Sequence, residues 1–358
     1  YIIKETLNNG ETNIHLFYKS RKAWLHLRSY GGYASEISRA PFVVFLRAKM
    51  RECNFEQHCT GVIIDATHIL TAQHCLEVQF PLENECSHET GPIITSLVEQ
   101  NITHIYNFRT SEITIFTGMT DPNQINEHEG LKLKKMSIIS RKNQNSLNNL
   151  KYTDVAILEL KRKLKFSENI RKICLPDEFI ESFGDMVYYS GYGLTNEKFD
   201  RPPSPGDKLM FGNLQTINLE LSSQDLCKSS DGSNNTGEYL CAGTASTGIE
   251  TGDSGGALYT FSKGRAFLIG IAAASSSGNK DLKLNEKLLS KNFKPDTYTK
   301  VSSICKWIEK FTTVKCQKMG IEVKKEKIIE DKNNNEEGKL VSNNEIKPSK
   351  SWWEEFWG

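Results

Sequence analysis

With 358 residues the chain exceeds one typical domain but suits a large two-barrel β protein, and its 38% apolar content is enough for a sizeable core. Its 45 basic and 44 acidic side chains nearly cancel, which argues against nucleic acid as the main partner, since that role needs a basic face. No apolar run approaches the ~20 residues of a membrane span, so no transmembrane segment is expected.

Residues 1–28 read as a short polar leader or activation segment. They hold neither an initiator Met nor a signal-peptide pattern, so Tyr1 is expected to follow a processed leader. Residues 29–316 carry short β-rich runs punctuated by turn residues: Phe42–Leu46, Gly61–Ile64, Ile113–Phe116, Val155–Leu158 and Phe267–Ile271. That pattern predicts antiparallel sheets rather than βαβ units. One helix follows, with Ser302 or Ser303 as its cap and Ile304, Trp307, Ile308 and Phe311 on one apolar stripe. Residues 317–358 switch to Lys, Glu and Asn, too polar to bury much surface, and are expected to be disordered. Their aromatic end, Ser351-Trp352-Trp353-Glu354-Glu355-Phe356-Trp357-Gly358, either docks on the body or binds a partner or surface.

Nine cysteines without a CxxC pair or a Cys/His cluster at metal-ligand spacing predict disulfides, an oxidising compartment and hence secretion, with no metal or organic cofactor. The sequons at Asn101 and Asn234 are then glycosylation candidates. An odd cysteine must stay free or pair with another chain.

Three motifs carry chemistry. Thr71-Ala72-Gln73-His74-Cys75 offers a histidine, Asp154-Val155-Ala156-Ile157-Leu158 a carboxylate at the head of an apolar strand, and Thr251-Gly252-Asp253-Ser254-Gly255-Gly256 a serine among glycines. Taken singly, each has a bland reading: a core histidine, a strand-edge aspartate, a turn serine. In the order His, Asp, Ser they supply what peptide hydrolysis needs. Ser254 would attack, and His74 would take its proton and return it to the leaving amine. Asp154 would hold the imidazole, and the Gly252 and Ser254 amides would bind the developing oxyanion.

These motifs resemble the trypsin/chymotrypsin family, and the likeness covers about residues 29–315. Cys59 precedes Cys75 at the spacing of the family's bridge beside the catalytic histidine, and Cys227 and Cys241 match its bridge in the second barrel. Ser190-Gly191-Tyr192-Gly193 is similar to the SGWG turn, and Tyr298-Thr299-Lys300-Val301 before the Trp307 helix to the family's ending. Gly31-Gly32 followed by Pro41-Phe42 resembles the start of the mature enzyme. The resemblance implies an all-β fold of two packed six-stranded antiparallel barrels with a C-terminal helix. It also implies protein or peptide substrates, an activating protease and a protein inhibitor.

It implies a zymogen as well: cleavage after Arg28 would free an amine at Ser29 to pair with Asp253 and order the oxyanion hole. Ser29 departs from the family's large aliphatic residue and forfeits roughly 1.5–3 kcal/mol of apolar burial. The specificity pocket departs too. Its floor is Gly248, where trypsin-like enzymes place an aspartate, while Asp296 takes a wall position that is usually glycine. Asp296 either pairs with a basic substrate side chain, giving basic or mixed specificity, or plugs the pocket. Glu250 replaces a bridging cysteine, and Ala273-Ala274-Ser275 replaces Ser-Trp-Gly, so that Ser275 narrows the pocket mouth. Of the remaining cysteines, Cys53 and Cys86 are candidates to pair, and Cys174 is expected to reach Cys305 or Cys316, leaving the other free. An insertion around residues 80–112 is expected to restrict substrate entry.

The sequence reading is therefore a secreted trypsin-like serine endopeptidase made as a zymogen. Its rival is a catalytically silent binding or regulatory protein on a protease scaffold.

Overall fold

The structure is a computed structural model that describes residues 2–6, 12–16, 32–50, 55–81, 93–98, 101–138, 153–194, 212–223, 237–244, 247–275 and 295–320. In chain order the strands are β1 (Ile2–Thr6), β2 (Thr12–Leu16), β3 (Tyr33–Ala34), β4 (Val43–Met50), β5 (Phe55–Ile63), β6 (His68–Thr71), β7 (Glu77–Pro81), β8 (Ile93–Val98) and β9 (Asn101–Asn107). There follow β10 (Ile113–Thr117), β11 (Leu131–Ile138), β12 (Ala156–Leu160), β13 (Met186–Gly191), β14 (Gln215–Glu220), β15 (Tyr239–Ala242), β16 (Ala257–Ser262), β17 (Arg265–Ala274) and β18 (Asp296–Lys300), and then the helix α1 (Cys305–Phe311). Each of the five apolar runs singled out above overlaps one of these strands: β4, β5, β10, β12 or β17.

Strands β10-β11-β12-β6-β5-β4 close into a six-stranded barrel. A second sheet runs β15-β18-β17-β16-β13-β14-β3. Its ends curl together: a bridge joins Leu221, just past β14, to Ala242 of β15, with Ser222 N–H donating to the Cys241 carbonyl at 2.8 Å. The short β3 is an addition to the expected six strands, pairing Ala34 with Gln215 on the outer edge of β14.

The central stretches of β4 and β12 are apolar on both faces because both are buried, whereas β11 alternates with exposed Lys132, Lys134 and Lys135. In β4, Val44 and Leu46 pack inside the first barrel, whereas Val43 and Phe45 pack in a cluster shared with the second sheet and α1. In β12, Ala156 and Leu158 face inward and Ile157 faces that shared cluster. In these two stretches period-2 alternation thus serves two cores and leaves no polar face, which is why they read as continuous. Tyr192, Leu214, Tyr259, Leu268 and Ile271 supply the shared cluster from the second sheet, and Val301, Ile304 and Ile308 from the C-terminal end.

Three details depart from the sequence reading. Neither Ser302 nor Ser303 caps α1: a 3-10 turn, Val301–Ile304, intervenes, Ser303 Oγ donates back to the Lys300 carbonyl at 2.6 Å, and Ile304 is the N-cap. Cys174 bonds neither Cys305 nor Cys316. Those two bridge each other, because the chain turns back after α1 and Cys316 N–H donates to Glu309 Oε1 at 3.1 Å, while Cys174 keeps a half-buried free thiol and only its backbone pairs with Phe267. The chain also stays hydrogen-bonded to the body past residue 316: Gln317 N–H donates to the Leu175 carbonyl at 2.9 Å, and Ser262 Oγ to the Gly320 carbonyl at 2.7 Å. The insertion forms a three-stranded sheet, β7-β9-β8, directly after the His74 turn, with Asn101 at the head of β9. Arg28, Ser29, Cys53, Cys86, Cys227, Asn234 and residues 321–358 lie outside the described residues.

Candidate active site

Strand pairing brings the first two motif residues together. β12 runs antiparallel to β6 with Ala156 opposite Thr71. Continuing that register two residues upstream of β12 and downstream of β6 sets Asp154 beside the 3-10 turn Gln73–Leu76. Asp154 then holds His74 twice: Oδ2 lies 2.5 Å from Nδ1, and Oδ1 accepts the His74 backbone N–H at 3.0 Å. With Nδ1–H donating to this carboxylate, Nε2 is left as the basic nitrogen. The histidine side chain is 36% exposed and the aspartate 19%, so the pair sits at the edge of solvent.

Two positioning contacts were not legible in the sequence, because each joins residues distant along the chain. Gln57 Nε2 on β5 donates to the His74 carbonyl at 3.0 Å, and Thr299 Oγ1 on β18 donates to the Asp154 carbonyl at 3.2 Å. The second ties the first barrel's aspartate to the second sheet. The Cys59–Cys75 disulfide forms beside His74, as expected. Cys241 is disulfide-bonded, and its partner lies outside the described residues.

The serine motif is pressed against the histidine motif. The Ser254 carbonyl accepts Thr60 N–H at 2.9 Å and lies 3.6 Å from Cys75 Sγ. A Cβ on Gly255 would collide with Thr71 Oγ1 and the Thr60 carbonyl, so only glycine lets the two barrels approach here. Gly252 and Gly255 have φ of +95° and +82°, the left-handed region that glycine enters without strain. Among the described residues nothing accepts a hydrogen bond from the Gly252 or Ser254 N–H, whereas the Asp253, Gly255 and Gly256 amides donate to the carbonyls of Glu250, Ala272 and Asp253.

Asp253 is fully buried. Its Oδ1 accepts Gly193 N–H at 2.8 Å and its Oδ2 accepts Glu250 N–H at 2.9 Å, and no cation reaches it among the described residues. Burial therefore pushes its carboxyl up to about 7, against the pull of those two donors.

The candidate pocket residues converge on one residue, Ile249. Asp296 is 2% exposed, and its Oδ2 accepts Ile249 N–H at 2.7 Å. Ser275 Oγ donates to the Ile249 carbonyl at 2.7 Å. Ile249 is the neighbour of Gly248, so the floor, wall and mouth named from the sequence are laced together. Two residues along β18 from Asp296, the Tyr298 hydroxyl is buried with no partner among the described residues.

Comparison with known proteins bears on this geometry. The family model for Trypsin matches residues 29–308. The chain belongs to the trypsin family. It is similar to a protein named Trypsin-like protease try-5 from Caenorhabditis elegans, 27% identical over 66% of this chain and 74% of that protein. It is also similar to a protein named Proclotting enzyme from Tachypleus tridentatus, 25% identical over 78% of this chain and 65% of that protein. In the second case about a third of the relative has no counterpart in the match. The all-β fold, the helix after the last strand and the disulfide beside His74 are thus those of a trypsin-family domain.

Proposed function

We propose that this trypsin-family member is a secreted serine endopeptidase. Ser254 attacks the substrate carbonyl, His74 is general base and then general acid, and Asp154 fixes its tautomer and offsets the imidazolium charge. The Gly252 and Ser254 amides form the oxyanion hole. The observation that carries this reading is the double hold of Asp154 on His74, made across 80 residues of sequence and beside the Ser254 loop, since Asp65 makes the same two bonds to His68 within a single turn and only the place of the hold gives it meaning. The Cys59–Cys75 and Cys305–Cys316 bridges favour an oxidising compartment.

The reading includes a zymogen. Asp253 is fully buried and, among the described residues, its carboxylate meets only two backbone N–H donors; a Ser29 amine freed by cleavage after Arg28 is its proposed cationic partner. An activating protease, an inhibitor and a partner for the tail belong to the same proposal.

The pocket geometry favours the plug over the salt bridge. Asp296 Oδ2 and Ser275 Oγ are both engaged with Ile249, so a long basic side chain would have to share the carboxylate with that backbone N–H. The supported substrate carries a small, uncharged residue before the scissile bond, in place of the basic or mixed preference read from sequence. The same closure is what favours the silent alternative.

The test is labelling with a fluorophosphonate probe before and after limited trypsin cleavage, with N-terminal sequencing and a Ser254→Ala control. Labelling that follows the cut at Arg28 and vanishes in the control upholds a zymogen with a working serine. A confirmed cut without labelling replaces it with the silent scaffold.

A further inference from the structure

We propose that Thr60 and Tyr189 are positioning residues of the oxyanion hole, their buried hydroxyls fixing the loop 251–254 so that the Gly252 and Ser254 amides face the substrate. The proposal deepens the endopeptidase reading and rests on it. A trans peptide sets the carbonyl of one residue antiparallel to the amide of the next, so whatever grips a carbonyl aims the amide behind it. In this loop each carbonyl in turn is gripped. Thr251 O accepts Leu194 N–H at 2.8 Å, Gly252 O accepts Thr60 Oγ1 at 2.9 Å, Asp253 O accepts Tyr189 Oη at 2.6 Å and Gly256 N–H at 2.9 Å, and Ser254 O accepts Thr60 N–H at 2.9 Å. The grip on Thr251 aims the Gly252 amide, and the grip on Asp253 aims the Ser254 amide. The grip on Gly252 fixes the peptide between them.

Two of these grips are side-chain hydroxyls in purpose-shaped sites. Tyr189, on β13, is fully buried, and a Cβ on either Gly191 or Gly256 would collide with its hydroxyl. Both flanking residues are therefore glycine where the phenol must fit. Thr60, on β5, is also fully buried and spends its hydroxyl twice, donating to Gly252 and accepting Tyr192 N–H at 3.1 Å. Its own carbonyl accepts Thr71 Oγ1 at 2.8 Å, which anchors it to β6 and so to the strand that leads into His74. One hydroxyl thus couples the first barrel, the end of β13 and the nucleophile loop. The loop needs such struts because Gly252 and Gly255 rotate at little cost, and backbone preference alone does not select one orientation. The Tyr189 strut acts on the Asp253 backbone carbonyl, so it operates whether or not an amine reaches the Asp253 side chain.

The test compares wild type, Tyr189→Phe, Thr60→Val and Thr60→Ser after cleavage at Arg28. The readouts are kcat and KM on short peptide substrates, the thermal midpoint, and amide exchange over residues 250–256. Tyr189→Phe and Thr60→Val should lower kcat about tenfold, the effect of one lost buried hydrogen bond, with KM within about twofold. They should also speed exchange in that segment alone. Thr60→Ser, which keeps the hydroxyl, should match wild type. Unchanged kcat in Tyr189→Phe, or an equal fall in Thr60→Ser and Thr60→Val, would overturn the proposal. If cleaved wild type itself turns over nothing, the endopeptidase reading fails. The exchange data then decide the positioning role: faster exchange in the two hydroxyl-deleted variants upholds it, and identical exchange overturns it.

Discussion

Two buried groups titrate in opposite senses, and a single substitution should separate them. Burial raises the Asp253 carboxyl from 3.8 to about 7 in the folded chain. The folded state therefore holds its proton more tightly than the unfolded state, and stability is lost as pH climbs from about 4 to about 7. About three units correspond to roughly 4 kcal/mol. His58 works the other way. Burial against Phe45, with Arg47 nearby, lowers it from 6.5 to about 4 despite the pull of Glu56. Its contribution is complete above pH 6.5 and is lost as pH falls towards 4, by roughly 3 kcal/mol. The two slopes nearly cancel between pH 4.5 and 6.5, so the uncleaved wild type should have a flat stability profile there. His58→Gln removes one of them. Urea unfolding of that variant at half-unit steps should show stability falling with rising pH by about 1 kcal/mol per unit. The loss of stacking on Phe45 shifts the whole curve without changing its slope. If Arg28 is cut and the new amine pairs with Asp253, the slope should disappear. A His58→Gln profile that is flat or rising before cleavage would refute the assignment of a protonated, uncompensated Asp253.

Asp154→Asn should keep the fold but lower kcat about 10³–10⁴-fold, because an amide cannot fix the His74 tautomer that leaves Nε2 basic; steady-state kinetics with a matched thermal midpoint check this. Ser275→Gly removes the bond to the Ile249 carbonyl and should raise kcat/KM for substrates with larger side chains before the cleaved bond at least about fivefold relative to alanine substrates, read from a peptide library. Replacing both Cys305 and Cys316 by Ser should lower stability by roughly 2–3 kcal/mol, since the bridge closes an 11-residue separation behind α1; chemical denaturation measures it. In the folded protein a thiol reagent should modify Cys174 ahead of any cysteine among the described residues, a site that peptide mapping would locate.

What the sequence determined by itself was local. The Gly-rich turn around Ser254, the aspartate at the head of an apolar strand, the His-Cys pair and the short β-rich runs are each set by neighbouring residues; the runs overlap strands, Asp154 contacts His74 and Cys75 bonds Cys59. The run-and-turn pattern set the antiparallel-sheet class for the same reason, since it is read one segment at a time, and the resemblance supplied the two barrels. Tertiary structure decided what depends on residues far apart in the chain. The thiol of Cys174 is free because α1 and the turn after it bring Cys316 back to Cys305, a path that no cysteine spacing encodes. Asp296 accepts the Ile249 N–H because β18 carries it beside a residue 47 positions earlier in the chain. The struts from Thr60 and Tyr189 to the nucleophile loop span 192 and 64 residues of sequence. Such contacts arise only once the second sheet has formed and packed against the closed barrel. Motif order could name the candidate reacting groups, but only that packing shows what holds them.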